Sequence, residues 1–97
     1  MYSFSSQLWL YPGDDPWHFV TVPDEISDDV RERTSGSRKG FGSVRVVVTI
    51  GDTTWQTSLF PDRKSNAYLL PVKKSVRKGE RLEDGDDVDV SFELDEQ

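Results

Sequence analysis

The stretch Tyr68–Leu94, YLLPVKKSVRKGERLEDGDDVDVSFEL, decides the fold of this chain. Ala67 to Leu70 is a short apolar strand closed by Pro71, which has no N–H to continue a ladder. Val72 and Val76, four residues apart, share one face of a short basic helix, and Gly79 stops it. Gly85-Asp86 marks a turn. Val88, Val90, Phe92 and Leu94 then alternate with Asp89, Ser91, Glu93 and Asp95, the period of a strand buried on one face.

Outward from this stretch the same grammar recurs. Tyr2 to Tyr11 alternates, with Tyr2, Phe4, Leu8 and Leu10 on one face and Ser3, Ser5, Gln7 and Trp9 on the other. The turn formers Pro12 to Pro16 end it, and Trp17 to Val22 returns as a second strand. After Pro23, Asp24 to Arg33 reads as a short helix. Asp24 or Ser27 can cap it, and Ile26 and Val30 form its apolar stripe. Thr34 to Gly40 is a polar loop. Phe41 to Ile50 is the clearest strand, Gly51-Asp52 its turn, and Thr53 to Phe60 its partner. Overlaid, the halves match strand to strand. Val22-Pro23 falls on Leu70-Pro71, Ile26/Val30 on Val72/Val76, and Val44/Val46 on Val88/Val90. The overlay reads either as an internal duplication or as chance similarity between common elements. A duplication would close one small barrel about a pseudo-twofold axis and remove exposed strand edges.

Ninety-seven residues make one domain able to bury roughly 60% or more of the unfolded chain's surface. Only 34% of residues are hydrophobic, but eleven aromatics supply large areas from few positions. With no cysteine, disulfide and thiolate chemistry are excluded, which fits a reducing cytoplasm. No run approaches the roughly 20 apolar residues of a membrane span, and the N-terminus lacks the pattern of a secretion signal. The net charge of −6 hides a division. Seven of the twelve basic residues lie between Arg63 and Arg81, and eight acids with no base lie between Glu83 and Glu96. The acidic segment can simply neutralise its neighbour.

Four runs carry a likeness: Gly40-Phe41-Gly42-Ser43-Val44-Arg45-Val46; Trp55-Gln56-Thr57-Ser58-Leu59-Phe60-Pro61; Leu70-Pro71-Val72-Lys73 with Val76-Arg77-Lys78; and Gly85-Asp86-Asp87-Val88. In this order they resemble the DUF1905 family, a domain of unknown function, over nearly the whole chain. The resemblance implies a small bacterial or archaeal β-barrel, in some proteins joined to a second domain linked with stress or bacteriocin tolerance. The chain ends soon after Leu94, so no second domain is expected here. A more distant similarity, Leu70-Pro71, Val76-Arg77, Leu82, Gly85-Asp86, Val88 and Val90, is to the half-barrel of AbrB-like regulators and antitoxins, in which two chains build a split barrel. Fold analogy does not confer function.

Signatures of catalysis are sparse. His18, the only histidine, lies in a strand, and nothing near it in sequence has triad or metal-ligand spacing. Ser58 is outside a nucleophile elbow, and a hydroxyl satisfied within the barrel explains it better. Asp84, Asp86 and Asp87 lack the alternating ligands and final glutamate of a calcium loop. Gly40-Phe41-Gly42 lacks the Lys-Ser/Thr of a phosphate loop. No catalytic, cofactor or metal residue is therefore assigned.

Binding is the more open class. Lys73, Lys74, Arg77 and Lys78 on the basic helix 73–78 can meet phosphates, as in AbrB-like contacts with nucleic acid. The net charge and the acidic helix of the first half weigh against that partner. Trp9, Trp17 and Trp55, with Arg45 or Arg77 beside them, offer a stacking or cation–π surface for a protein or small molecule, and the plainer reading has each tryptophan covering a barrel end. The expectation is a mainly β, closed, double-split-like barrel of about six strands with two short helices. Functionally it reads as a monomeric, non-enzymatic binding module of the cytoplasm.

Overall fold

The computed structural model describes residues 1–13, 17–36 and 42–95. Its elements are β1 (Tyr2–Leu10), β2 (His18–Thr21), α1 (Asp24–Arg33), β3 (Val44–Ile50), β4 (Thr53–Pro61), β5 (Tyr68–Pro71), α2 (Lys74–Gly79) and β6 (Asp87–Leu94). The six strands close into an antiparallel barrel in the order β1-β2-β5-β4-β3-β6. Parts of the expected Pro12–Pro16 turn and Thr34–Gly40 loop, and Phe41, lie outside the described residues.

Alternation builds the core. Val44, Val46, Val48 and Ile50 of β3 and Val88, Val90 and Phe92 of β6 are buried, as are Leu8, Val20, Leu59, Tyr68 and Leu70. Each such side chain, fully buried, contributes about 1.5–3 kcal/mol over its exposed state. Tyr2, Phe92, Val48 and Trp55 make one inward row across β1, β6, β3 and β4. Tyr2 stacks on Phe92 at 5.0 Å, and Phe4 meets it edge-on at 6.2 Å. Leu10, expected inside, is 46% exposed because β1 there has run past the core.

The two helices close the barrel through their first turns. Pro23 is the N-cap of α1 and makes no side-chain cap bond, so neither Asp24 nor Ser27 has the expected capping role. Ser27 is instead fully buried. Its Oγ donates to Val22 C=O (3.0 Å) and accepts from Tyr68 N–H (3.1 Å), tying α1 to the end of β2 and the start of β5. Arg31 lies over the Tyr68 ring, 5.4 Å from its centroid.

α2 departs from expectation at both ends. Lys73 is its extended N-cap, and the buried Val72 lies before the helix, so only Val76 anchors it. Gly79 is its last helical residue. The left-handed position falls on Arg81 (φ +56), where Arg81 N–H donates to Lys78 C=O (3.3 Å) and Leu82 N–H to Arg77 C=O (2.8 Å). That pair of bonds is a Schellman stop with arginine in place of glycine.

The pseudo-symmetry is real in topology but shifted from the sequence overlay. Exchanging β1 with β4, β2 with β5 and β3 with β6 leaves the strand order unchanged. The N-caps Pro23 and Lys73 correspond, so Val22 matches Val72 and Ile26 matches Val76. The two prolines are not equivalent. The bond from Arg77 Nε to Val72 C=O (3.1 Å) repeats that of Ser27 to Val22. β3 and β6 pair with each other, Val48 opposite Phe92, and both turn alternate residues into the core.

Candidate functional site

Strand pairing brings two of the three tryptophans into one cluster. Trp9 pairs with Phe19 across β1 and β2, on the outside of the barrel, and their rings lie 5.5 Å apart. Tyr11 meets Phe19 edge-on at 5.8 Å and Trp9 at 6.0 Å. Trp17 stacks on Phe19 at 6.2 Å with planes 12° apart. The half-buried Trp9 donates its indole N–H to Thr21 Oγ1 at 3.0 Å. Trp17 is 54% and Tyr11 49% exposed. The cluster is an aromatic wall added outside an already filled core. Trp55 belongs elsewhere, in the inward row beside Val48. Arg45 is exposed on the opposite face of that sheet, paired with Ser58, so it does not stand over Trp55.

The basic residues form the second feature. Lys74, Arg77 and Lys78 of α2, with Arg81, Leu82 and Glu83, line a depression of about 260 Å³. Among the described residues the ion pairs are His18–Asp84, Arg31–Asp28 and Arg33–Asp29, so none engages these cations. Glu80, the acid nearest in sequence, turns away to accept from Thr53 Oγ1 at 2.7 Å.

The ladder joins the two features. Val72 N–H donates to His18 C=O (2.9 Å), continuing the β2–β5 register beyond Phe19↔Pro71. Trp17 and the extended Lys73 are the next residues beyond this bond on the two segments. The sequence shows neither this juxtaposition nor Arg81. The first depends on register across a gap of 56 residues, the second on a turn whose glycine sits two positions early.

His18 has a partner distant in sequence. Its Nε2 lies 2.5 Å from Asp84 Oδ1, fastening the 83–87 loop to β2. The same loop is pinned to β1 by Gly85 N–H to Leu8 C=O (2.7 Å) and Leu8 N–H to Asp86 C=O (2.9 Å). The pair thus sits in a structural clasp. Among the described residues no group of three or more His, Asp or Glu is placed to hold a metal. A third surface, a groove of about 470 Å³ over β1, β6 and β3, is lined by hydroxyls and Asp89. They pair with one another, as in Ser3 with Ser91 (3.0 Å) and Ser5 with Asp89.

Residues 4–92 match the family described as Domain of unknown function (DUF1905). The chain belongs to the DUF1905 family. This DUF1905 domain accounts for nearly the whole chain, from within β1 to within β6. A comparison with curated proteins found no match. In this DUF1905 chain no described helix is long and apolar enough to cross a membrane.

Proposed function

We propose that this domain is a non-enzymatic binding module whose ligand covers the aromatic wall of Trp9, Tyr11, Trp17 and Phe19. The observation that carries this reading is Trp17 itself, a tryptophan stacked on Phe19 yet 54% exposed. Aromatic rings clustered on a surface offer large contact area at low entropic cost, and they dominate binding energetics where they occur at interfaces. A purely structural Trp17 would contribute to stability, whereas an exposed platform contributes little. The reading therefore expects Trp17→Ala to leave the urea midpoint nearly unchanged. It also expects one ligand among three chemistries, an oligonucleotide, an oligosaccharide or a proline-rich peptide, to protect Trp17 from acrylamide quenching. Failure of all three to alter the quenching would remove it.

The AbrB-like reading, a duplex held through the basic helix 73–78, draws support from the cationic depression on α2. A twofold duplex footprint asks for cations on both helices. In the corresponding positions of α1, Asp24 and Asp28 stand where α2 has Lys74 and Lys78. That asymmetry favours a one-sided ligand.

A further inference from the structure

We infer that the ligand is a flexible single strand of nucleic acid, with a base stacked on Trp17 and its phosphates led along Lys73, Lys74, Arg77, Lys78 and Arg81. This rests on the reading of the aromatic wall as a binding surface and names the chemistry it takes. Single strands are held by aromatic side chains on which bases stack beside a cationic track for the backbone. Both parts are present, and they adjoin the last β2–β5 bond, Val72 N–H to His18 C=O, beyond which Trp17 and Lys73 are the next residues. Arg77 donates its Nε–H to Val72 C=O, an uncharged acceptor that leaves its cation unneutralised. Trp17 is backed by Phe19 on one side and is 54% exposed overall. The α2 cations have no ion pair among the described residues.

Two further observations sharpen the assignment. Arg81 retains a left-handed backbone that glycine would adopt freely, and its side chain lines the cationic depression. Strain of this kind persists where the surrounding structure requires it and clusters at functional positions. The acids, although they outnumber the bases, are mostly engaged or distributed elsewhere. Asp84 holds His18, Glu80 holds Thr53, Asp86 accepts from Glu83 N–H, and Asp89 accepts from Ser5. At physiological salt a charge acts over about 8 Å, so local composition outweighs the net −6 along the track. Among the described residues Glu83 is the acid that lines the depression.

The test is fluorescence anisotropy of the intact chain with labelled oligothymidylate and oligouridylate of about 12 nucleotides, and with a duplex of equal length. The inference expects binding of single strands over duplex. With about four phosphates engaged, affinity falls about fiftyfold between roughly 50 and 200 mM salt. Trp17→Ala weakens binding about tenfold without changing the salt slope, and Trp17→Phe restores most of it. The Lys74→Glu/Lys78→Glu pair instead flattens the slope, while circular dichroism shows both variants folded. A preference for uridylate or thymidylate separates RNA from DNA as the source of the same chemistry. Equal or tighter binding of the duplex, a salt-insensitive affinity, or an unchanged affinity in Trp17→Ala would overturn the inference. So would absence of oligonucleotide binding at low salt. If the oligosaccharide or peptide then protects Trp17, the aromatic wall stands and only nucleic acid falls. If no ligand does, both readings fall.

Discussion

At position 81 an arginine holds φ +56, a conformation that costs an L-residue about 1–2 kcal/mol and glycine almost nothing. Arg81→Gly should therefore raise stability by about 0.5–1 kcal/mol, seen as a higher urea midpoint at unchanged slope. The same variant should bind oligonucleotide more weakly, so stability and binding move in opposite directions. Ser27 makes the contrary case. Its hydroxyl satisfies Val22 C=O and Tyr68 N–H in a fully buried site. Ser27→Ala removes both bonds and should cost about 1–3 kcal/mol in equilibrium unfolding. Tyr2 supplies a pH signature. Burial raises its pKa above 10.0, the hydrogen bond to Asp29 raises it further, and the Arg33 charge opposes both. A folded-state value above the unfolded one stabilises the protein fully below pH 10 and is lost as pH rises through the folded value. Thermal unfolding followed from about pH 8 to about pH 12 should show an alkaline decline that Tyr2→Phe reduces.

Among the elements, the strands were readable because their burial is one-sided and periodic. Val44 to Ile50 and Val88 to Phe92 alternate as written, and the inward rows follow. The ends of α2 were not readable. Gly79 looks like a stop, but the stop is completed by backbone bonds from Arg81 and Leu82, which any residue but proline can donate. Val72 looks helical by its spacing from Val76, but it is buried as the last residue of an extended ladder. The candidate surface was half legible. Aromatic and basic residues were visible as types, yet which tryptophans meet depends on register. Trp9 and Trp17 converge on Phe19, while Trp55 turns inward by pairing with Val48. The β3–β4 turn was both legible and tightly constrained. Gly51 has φ +58, and a Cβ there would fall 1.9 Å from Glu80 Oε1. Gly51→Ala should cost about 1–2 kcal/mol, mostly from the backbone because the Glu80 side chain can yield. A cycle with Glu80→Ala, measured by urea unfolding, separates the two contributions.

For the molecule as a whole, closure explains what two short helices and a modest apolar content manage to stabilise. Closure gives every strand a neighbour on both sides over part of its length and leaves no whole strand edge free to recruit another chain, so the expected species in solution is the 11.1 kDa monomer. Sedimentation measured with Trp17→Ala beside it tests this. A dimer dissolved by that substitution would make the aromatic wall a contact between copies. The exchange symmetry of the halves extends to connectivity but not to charge, since α1 is acid-rich where α2 is basic. One architecture used twice has thus produced two chemically different ends.

The ladder between β1 and β6 pairs Ser3 with Ser91, and it has a consequence during synthesis. Within the barrel β1 pairs on one side with β2, the next strand made, and on the other with β6, the last of the six. Until residue 92 has emerged, Tyr2 and Phe4 lack the ring of Phe92 that covers them. Until β6 arrives the barrel stays open between β1 and β3, and their apolar inner faces belong to the transiently exposed surface on which unfinished folding states associate.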